Sequence, residues 1–241
     1  MEEEWAGTGT KNNDVCPACG GDGVVVCHDV DGSNVVRPCL KCNGLKKKRV
    51  ATLYRLSGIP NRLAPNPKID GAVRAYVDLY PAIRRGNNWL MLIGKPGSGK
   101  TTQATWLARE LIDRYMTRVR FYNAFDLVRR LVALRKRNDE FERDMNEFVG
   151  AELVVLDDFL KNLPDKKSFN YSDYKETLLE LIWARYDSKK PLVITTQRSF
   201  MSIAQFDSAL AGRIAEACAG RVVVFDSDAK NYRIIKETAY V

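Results

Sequence analysis

The sequence predicts an α/β fold, a parallel sheet covered by helices on both faces, with a small cysteine-rich module ahead of it. Three observations carry this reading. From Gly71 onward, short apolar runs of strand length alternate with amphipathic stretches of helical period, and repeated strand-then-helix order marks parallel strands joined by crossover helices. Five of the six cysteines crowd between Cys16 and Cys42, in a stretch with too few apolar residues to form a core unaided. Between these regions, residues 46–70 are basic and contain Pro60, Pro65 and Pro67, the composition of a hinge. The expected division is therefore a cysteine-rich module over residues 1–45, a basic linker over 46–70 and an α/β domain over 71–241. A chain of 241 residues has room for one full α/β core plus such a module.

In order, the periodicities predict a short helix around Ala51–Leu56, a helix over Gly71–Arg84, a strand over Trp89–Ile93 and a helix over Thr101–Tyr115. A strand over Val119–Tyr122 follows, then helices over Ala124–Arg137 and Glu140–Phe148 and a strand over Glu152–Leu156. The series continues with a helix over Tyr171–Tyr186, capped near Ser172 or Asp173, and a strand over Leu192–Thr195. Helical turns over Met201–Ala217 precede strands over Arg221–Phe225 and Tyr232–Ile235. Cys218, away from the other cysteines, reads as a buried core thiol.

Charge is unevenly spread. Residues 1–36 carry seven acids against Lys11, a net of −6, whereas residues 37–69 hold nine bases and no acid, more than the whole-chain excess of +8. A segment of that kind suits a polyanion or merely keeps a linker solvated. No apolar run approaches the roughly 20 residues needed to span a bilayer, and Met-Glu-Glu-Glu-Trp is acidic where a signal peptide is basic. A cytoplasmic protein is expected.

Gly94-Lys95-Pro96-Gly97-Ser98-Gly99-Lys100-Thr101 satisfies G-x-x-x-x-G-K-S/T and sits between an apolar strand and a helix. In such a loop the backbone N–H groups turn inward around a β-phosphate, and the following helix presents its positive end to the same anion. Lys100 would reach the β- and γ-phosphates, the Thr101 hydroxyl would ligate magnesium, and ATP is the expected ligand. Leu153-Val154-Val155-Leu156 runs into Asp157 and Asp158. Asp157 is the candidate for holding hydrated magnesium, and Asp158 for orienting the attacking water. Pro191 to Gln197 ends another buried strand with a carboxamide, which makes Gln197 a candidate γ-phosphate sensor.

Cys16-x-x-Cys19 and Cys39-x-x-Cys42 are separated by 19 residues, within the spacing of four-thiolate zinc sites. Cys27 and His28 lie between the pairs as possible substitute ligands. Glycines after each pair (Gly20, Gly21, Gly23 and Gly44) suit tight turns around the sulfurs.

The runs Gly58-Ile59-Pro60, Gly94 to Thr101, Leu156-Asp157-Asp158, Ile194-Thr195-Thr196-Gln197 and Leu210-Ala211-Gly212-Arg213-Ile214 together resemble the DnaC/DnaI/IstB group of AAA+ ATPases. The resemblance covers about residues 50 to 238. It implies an AAA+ core, ATP hydrolysis, and self-association in which Arg213 reaches the ATP site of a neighbouring protomer. It also implies a nucleotide or DNA role for Arg233 and, in the loader branch, an amino-terminal zinc module that docks on a hexameric, DnaB-like replicative helicase at the start of DNA replication, within a primosome. Gln197 stands where the family has asparagine, and Thr102, beside the loop, where histidine is common. With Val241 closing the sequence, a full helical lid is not expected.

Leu127 to Arg137 places five bases on one helix whose leucines and valines face inward. In related ATPases the helices at this place line a single-stranded DNA track, so Arg129, Arg130 and Arg135 are candidate phosphate contacts, with Phe121, Tyr122 and Phe125 as core or stacking residues. The alternative is an ordinary solvated face. The leading expectation is a helicase loader acting on single-stranded DNA. A second is an IstB-like transposition ATPase assembling on DNA, and a third, a small-molecule P-loop kinase, requires a lid and an acceptor pocket that the sequence does not display.

Overall fold

The computed structural model describes residues 16–20, 24–28, 34–41, 43–61, 67–86, 88–168, 170–225 and 233–234. The chain divides into two compact units, Met1–Thr52 and Leu53–Val241. The first contains an antiparallel pair, β1 (Val24–His28) and β2 (Asn34–Pro38), and the start of helix α1 (Gly44–Ser57). This helix begins seven residues before the expected Ala51, because lysine and arginine are good helix formers even without an apolar face.

In the second unit the order is α2 (Gly71–Ile83), β3 (Leu90–Gly94), α3 (Lys100–Tyr115), β4 (Val119–Asn123), α4 (Ala124–Leu134), α5 (Asn138–Gly150) and β5 (Leu153–Phe159). There follow α6 (Tyr171–Asp187), β6 (Leu192–Thr196), α7 (Phe200–Phe206), α8 (Ser208–Cys218), β7 (Val222–Phe225) and β8 (Arg233–Ile234). The strands lie in the order β4-β5-β6-β3-β7-β8; the first five are parallel and β8 runs antiparallel to β7. The last strand thus departs from the all-parallel expectation, since a short return along an edge needs no crossover helix.

The central strands are buried along their length: Leu90 to Leu92, Leu153 to Leu156 and Leu192 to Thr196. Such continuous burial requires cover on both faces. Trp89, Met91, Ile93, Val154, Leu156 and Ile194 join one core with the apolar sides of α4, α6 and α8. Their alternating neighbours Leu90, Leu92, Val155 and Val193 are buried too, and pleating turns them to the other face, where α3 crosses β3, β5 and β6 with α2 against it.

Helix starts follow local chemistry. The Asp70 carboxylate accepts from Ala72 N at 2.7 Å, the Asn123 carboxamide oxygen from Phe125 N at 3.1 Å, and the Asp207 carboxylate from Leu210 N at 3.0 Å. Ser172 and Asp173 fall inside the first turn of α6 and do not cap it; Asn170 occupies that position. The helical turns expected over 201–217 are two helices, broken at Asp207, whose extended backbone ends α7 and opens α8. Cys218 is fully buried as expected, and burial pushes its thiol pKa up to about 12. No helix among the described residues is long and apolar enough to cross a membrane.

Arg185 is the exception to the pattern. Its side chain is fully buried on α6, and its guanidinium donates to the carbonyls of Phe148, Val149, Ala151 and Pro191 at 2.7–3.2 Å. It ties the end of α5 to the entry of β6. Burial pulls its pKa down to about 10, opposed by the phenols of Tyr80 and Tyr76, so the group stays charged at neutral pH. Replacing Arg185 by alanine strands four carbonyls and opens a cavity. We expect unfolding free energy to fall by about 3 kcal/mol, read as a lower urea midpoint at unchanged slope.

Candidate functional site

The loop after β3 closes on itself: Ser98 N donates to Lys95 O at 3.2 Å, and Gly99, in the left-handed region at φ 89°, leads into α3. Gly94 has no room for a side chain, since a Cβ would lie 2.6 Å from Phe225 O and 2.7 Å from Ser98 Oγ. Lys100 is buried in the first turn of α3, and its ammonium donates to Lys95 O at 2.8 Å and to Ser98 Oγ at 3.4 Å. Burial lowers its pKa below the ordinary lysine value, and Asp158 and then Asp157 oppose that shift. A cation is thereby held inside the mouth of a glycine-rich loop at the start of a helix, the arrangement an oligophosphate requires.

Asp157 stands on β5 beside the loop helix. Thr101 Oγ1 donates to its two carboxylate oxygens at 2.9 and 3.1 Å, and Thr195 Oγ1 of β6 donates to Oδ1 at 2.5 Å. Thr195 Oγ1 also accepts from Asp158 N at 3.0 Å. Sequence reading missed Thr195, though a polar residue in an otherwise apolar buried strand demands a partner and was the available signal. A hydroxyl and a carboxylate side by side form an oxygen donor set suited to hydrated magnesium. Bound there, the ion would neutralise charge on the β- and γ-phosphates.

The register of β5 against β6 shifts between Leu156 and Phe159, and Asp158 takes a left-handed backbone at φ 56°. Lys161 Nζ pairs with its carboxylate at 2.8 Å, a partner sequence reading did not foresee. Pro96, Gly97, Gly99, Lys100, Thr101, Thr102, Asp158, Lys161 and Gln197 line one cavity of about 280 Å³. The loop, the acidic strand and the carboxamide of Gln197 are thus brought to one edge of the sheet.

The other candidates lie apart from that cavity. Arg213, on α8, has its guanidinium 5.2 Å from the Trp183 ring centroid and 5.9 Å from that of Tyr186, both on α6. Arg130 pairs with the buried Asp144 at 2.7 Å, and Arg135 with Glu176 at 3.3 Å and Glu180 at 3.6 Å. Arg129 lies over the Phe125 ring at 5.8 Å. Phe121 is buried, and Tyr122 and Phe125 pack against the core, the first of the two roles expected of these aromatics. The side chain of Arg233 lies outside the described residues.

In the first unit the sulfurs of Cys16, Cys19 and Cys39 lie within 4.8 Å of one another, with Cys16 and Cys39 at 3.8 Å. Four thiolates about 2.3 Å from a tetrahedral ion are separated by about 3.8 Å, so the spacing fits a metal. Both cysteine turns share one geometry. Gly20 N donates to Cys16 O at 2.8 Å and Asn43 N to Cys39 O at 3.0 Å, with both donors left-handed, at φ 58° and 50°. Cys27, on β1, is not part of the cluster. Cys42 and the side chain of His28 lie outside the described residues.

The family model of the IstB-like ATP binding protein matches residues 80–236. The uncharacterized protein YqaM of Bacillus subtilis (strain 168) is 26% identical over 204 residues, which are 78% of this chain and 64% of that protein. The phage-like element PBSX protein XkdC of the same strain is 28% identical over 153 residues, 63% of this chain and 56% of that one. This chain therefore spans between half and two-thirds of these relatives. Among solved structures, the replication initiator DnaA bound to AMPPCP and single-stranded DNA aligns at 18% identity and a TM-score of 0.53, over 72% of this chain and 50% of that chain. The DnaC helicase loader aligns at 18% identity and a TM-score of 0.47, over 73% of this chain and 98% of that chain. The likeness to DnaA is one of fold alone. Matched by its model over well over half its length, with loop and acidic strand in contact, the chain belongs to the IstB-like ATP-binding protein family.

Proposed function

We propose that the protein is a cytoplasmic ATPase that loads a hexameric, DnaB-like replicative helicase onto single-stranded DNA at the start of replication. The observation that carries the ATPase reading is the contact of Thr101 with Asp157 at the mouth of the phosphate loop. In this reading, Gly94 to Thr101 cradle the triphosphate with Thr102 beside them, and Lys100 exchanges the Lys95 carbonyl for the β- and γ-phosphates. Thr101 and Asp157 hold magnesium, while Thr195 keeps the carboxylate aimed. Asp158 orients the attacking water beside Lys161, and Gln197 senses the γ-phosphate. Arg213 acts across a protomer boundary, since it is not among the residues lining its own cavity, and Arg233 contacts nucleotide or DNA.

The loader assignment rests on the motif resemblance together with the amino-terminal cysteine cluster. Zinc held by Cys16, Cys19, Cys39 and Cys42 would shape a module for protein docking. DNA contact falls first to Arg129, because Arg130 and Arg135 would have to give up intramolecular ion pairs to reach phosphates. The match to the IstB-like family favours a second reading, a transposition ATPase that assembles on DNA and regulates a transposase.

A pull-down with the host's replicative helicase in the presence of ATP separates the two. A stable complex is expected, and no complex with helicase, set against capture of a transposase, overturns the loader. Lys100→Ala should abolish ATP binding by calorimetry. Arg213→Ala should leave binding intact while lowering hydrolysis in the assembled state; equal loss of both would contradict its role across the boundary. Chelation should release one zinc per chain, measured by a metallochromic dye, and collapse the circular dichroism of the first unit.

A further inference from the structure

We propose that Trp183 and Tyr186 are positioning residues for Arg213, an aromatic shelf that aims its guanidinium at the triphosphate of a neighbouring copy of this chain. The inference rests on the reading of Arg213 as the arginine that completes that neighbour's site.

The way Arg213 is held differs from that of Arg130 and Arg135. Arg130 and Arg135 each meet a carboxylate, which engages the N–H edge of the guanidinium. Arg213 lies near two rings instead, and among the described residues its one hydrogen bond is to Ala209 O of its own helix, at 3.5 Å. A ring attracts the cation through its π-face and does not compete for the donors, so the forked N–H edge stays available for a bidentate oxyanion. A carboxylate at that place would neutralise the charge that the transfer of a phosphoryl group requires.

The nearest rival is kept away. Glu216 lies one turn along α8 from Arg213, a spacing at which opposite charges normally pair. The Glu216 carboxylate beside the Tyr186 hydroxyl raises its pKa, so the acid lies near that phenol. Among the described residues Glu216 forms no ion pair with Arg213, whose guanidinium lies near the Tyr186 ring instead. The shelf is rooted in the core: Tyr186 meets the buried Trp89 edge-on at 6.3 Å, and Trp89 Nε1 donates to Lys190 O at 3.0 Å. Trp183, by contrast, is 37% exposed, so its own loss leaves the core intact.

The test measures ATP hydrolysis by the full chain over rising protein concentration for Trp183→Ala, Trp183→Phe, Arg213→Ala and the Trp183→Ala/Arg213→Ala pair. Where wild-type turnover per chain has reached its plateau, Trp183→Ala should lower kcat about fivefold with KM for ATP and Tm unchanged. Trp183→Phe should restore most of the loss, and adding Trp183→Ala to Arg213→Ala should cost nothing further. An impaired Arg213→Ala beside an unimpaired Trp183→Ala, or additive losses in the pair, overturns the shelf alone. An unimpaired Arg213→Ala overturns the boundary-crossing arginine and the shelf with it.

Discussion

The contact between Asp157 and Thr101 is the constraint on which the site depends. One group lies on a strand and the other in the first turn of a helix 56 positions earlier in the chain. They meet because β3 lies beside β6, and β6 beside β5, which sets the helix after β3 across the ends of its neighbours. In open α/β sheets, ligands gather where the strand order reverses, and here β4 lies at the far edge while β3 sits between β6 and β7. Thr195 adds the third corner, and through its bond to Asp158 N it also fixes the bulge that turns the second acid toward the cavity.

Arginine is used in three ways, and its surroundings decide each. Arg185 is buried among carbonyls, where its charge is matched by dipoles and the bonds join α5 to β6. A guanidinium is suited to this because its five donors can serve several acceptors at once. Arg130 and Arg135 face carboxylates and hold helices together. Arg213 is carried by rings, which leave its donors open. A positive charge on a helix is therefore no measure of what it binds, and the five bases of the stretch from Leu127 to Arg137 show this most plainly.

The first unit follows another logic. Its two cysteine turns share a backbone pattern, a left-handed donor returning to the carbonyl of the leading cysteine. Glycine serves this role in one turn and asparagine in the other, the two residue types that accept a left-handed backbone most readily. Sulfurs from separate turns then converge at 3.8 Å, a separation that ligand geometry explains and apolar packing does not.

Much of this was legible in the sequence. The phosphate loop, the acidic strand and the strand-helix alternation are local, because a buried strand needs an apolar run and a loop around an anion needs glycines at set places. The sequence by itself also determined that the cysteines come in pairs at metal-binding distance along the chain. Tertiary structure alone decided which partners meet: that Thr195 orients Asp157, that Arg185 turns inward, and that Arg213 lies against Trp183. Spacing along a chain fixes only neighbours within a few residues. Contacts between side chains thirty or more positions apart follow from sheet order and helix packing, and these are settled by burial of the chain as a whole.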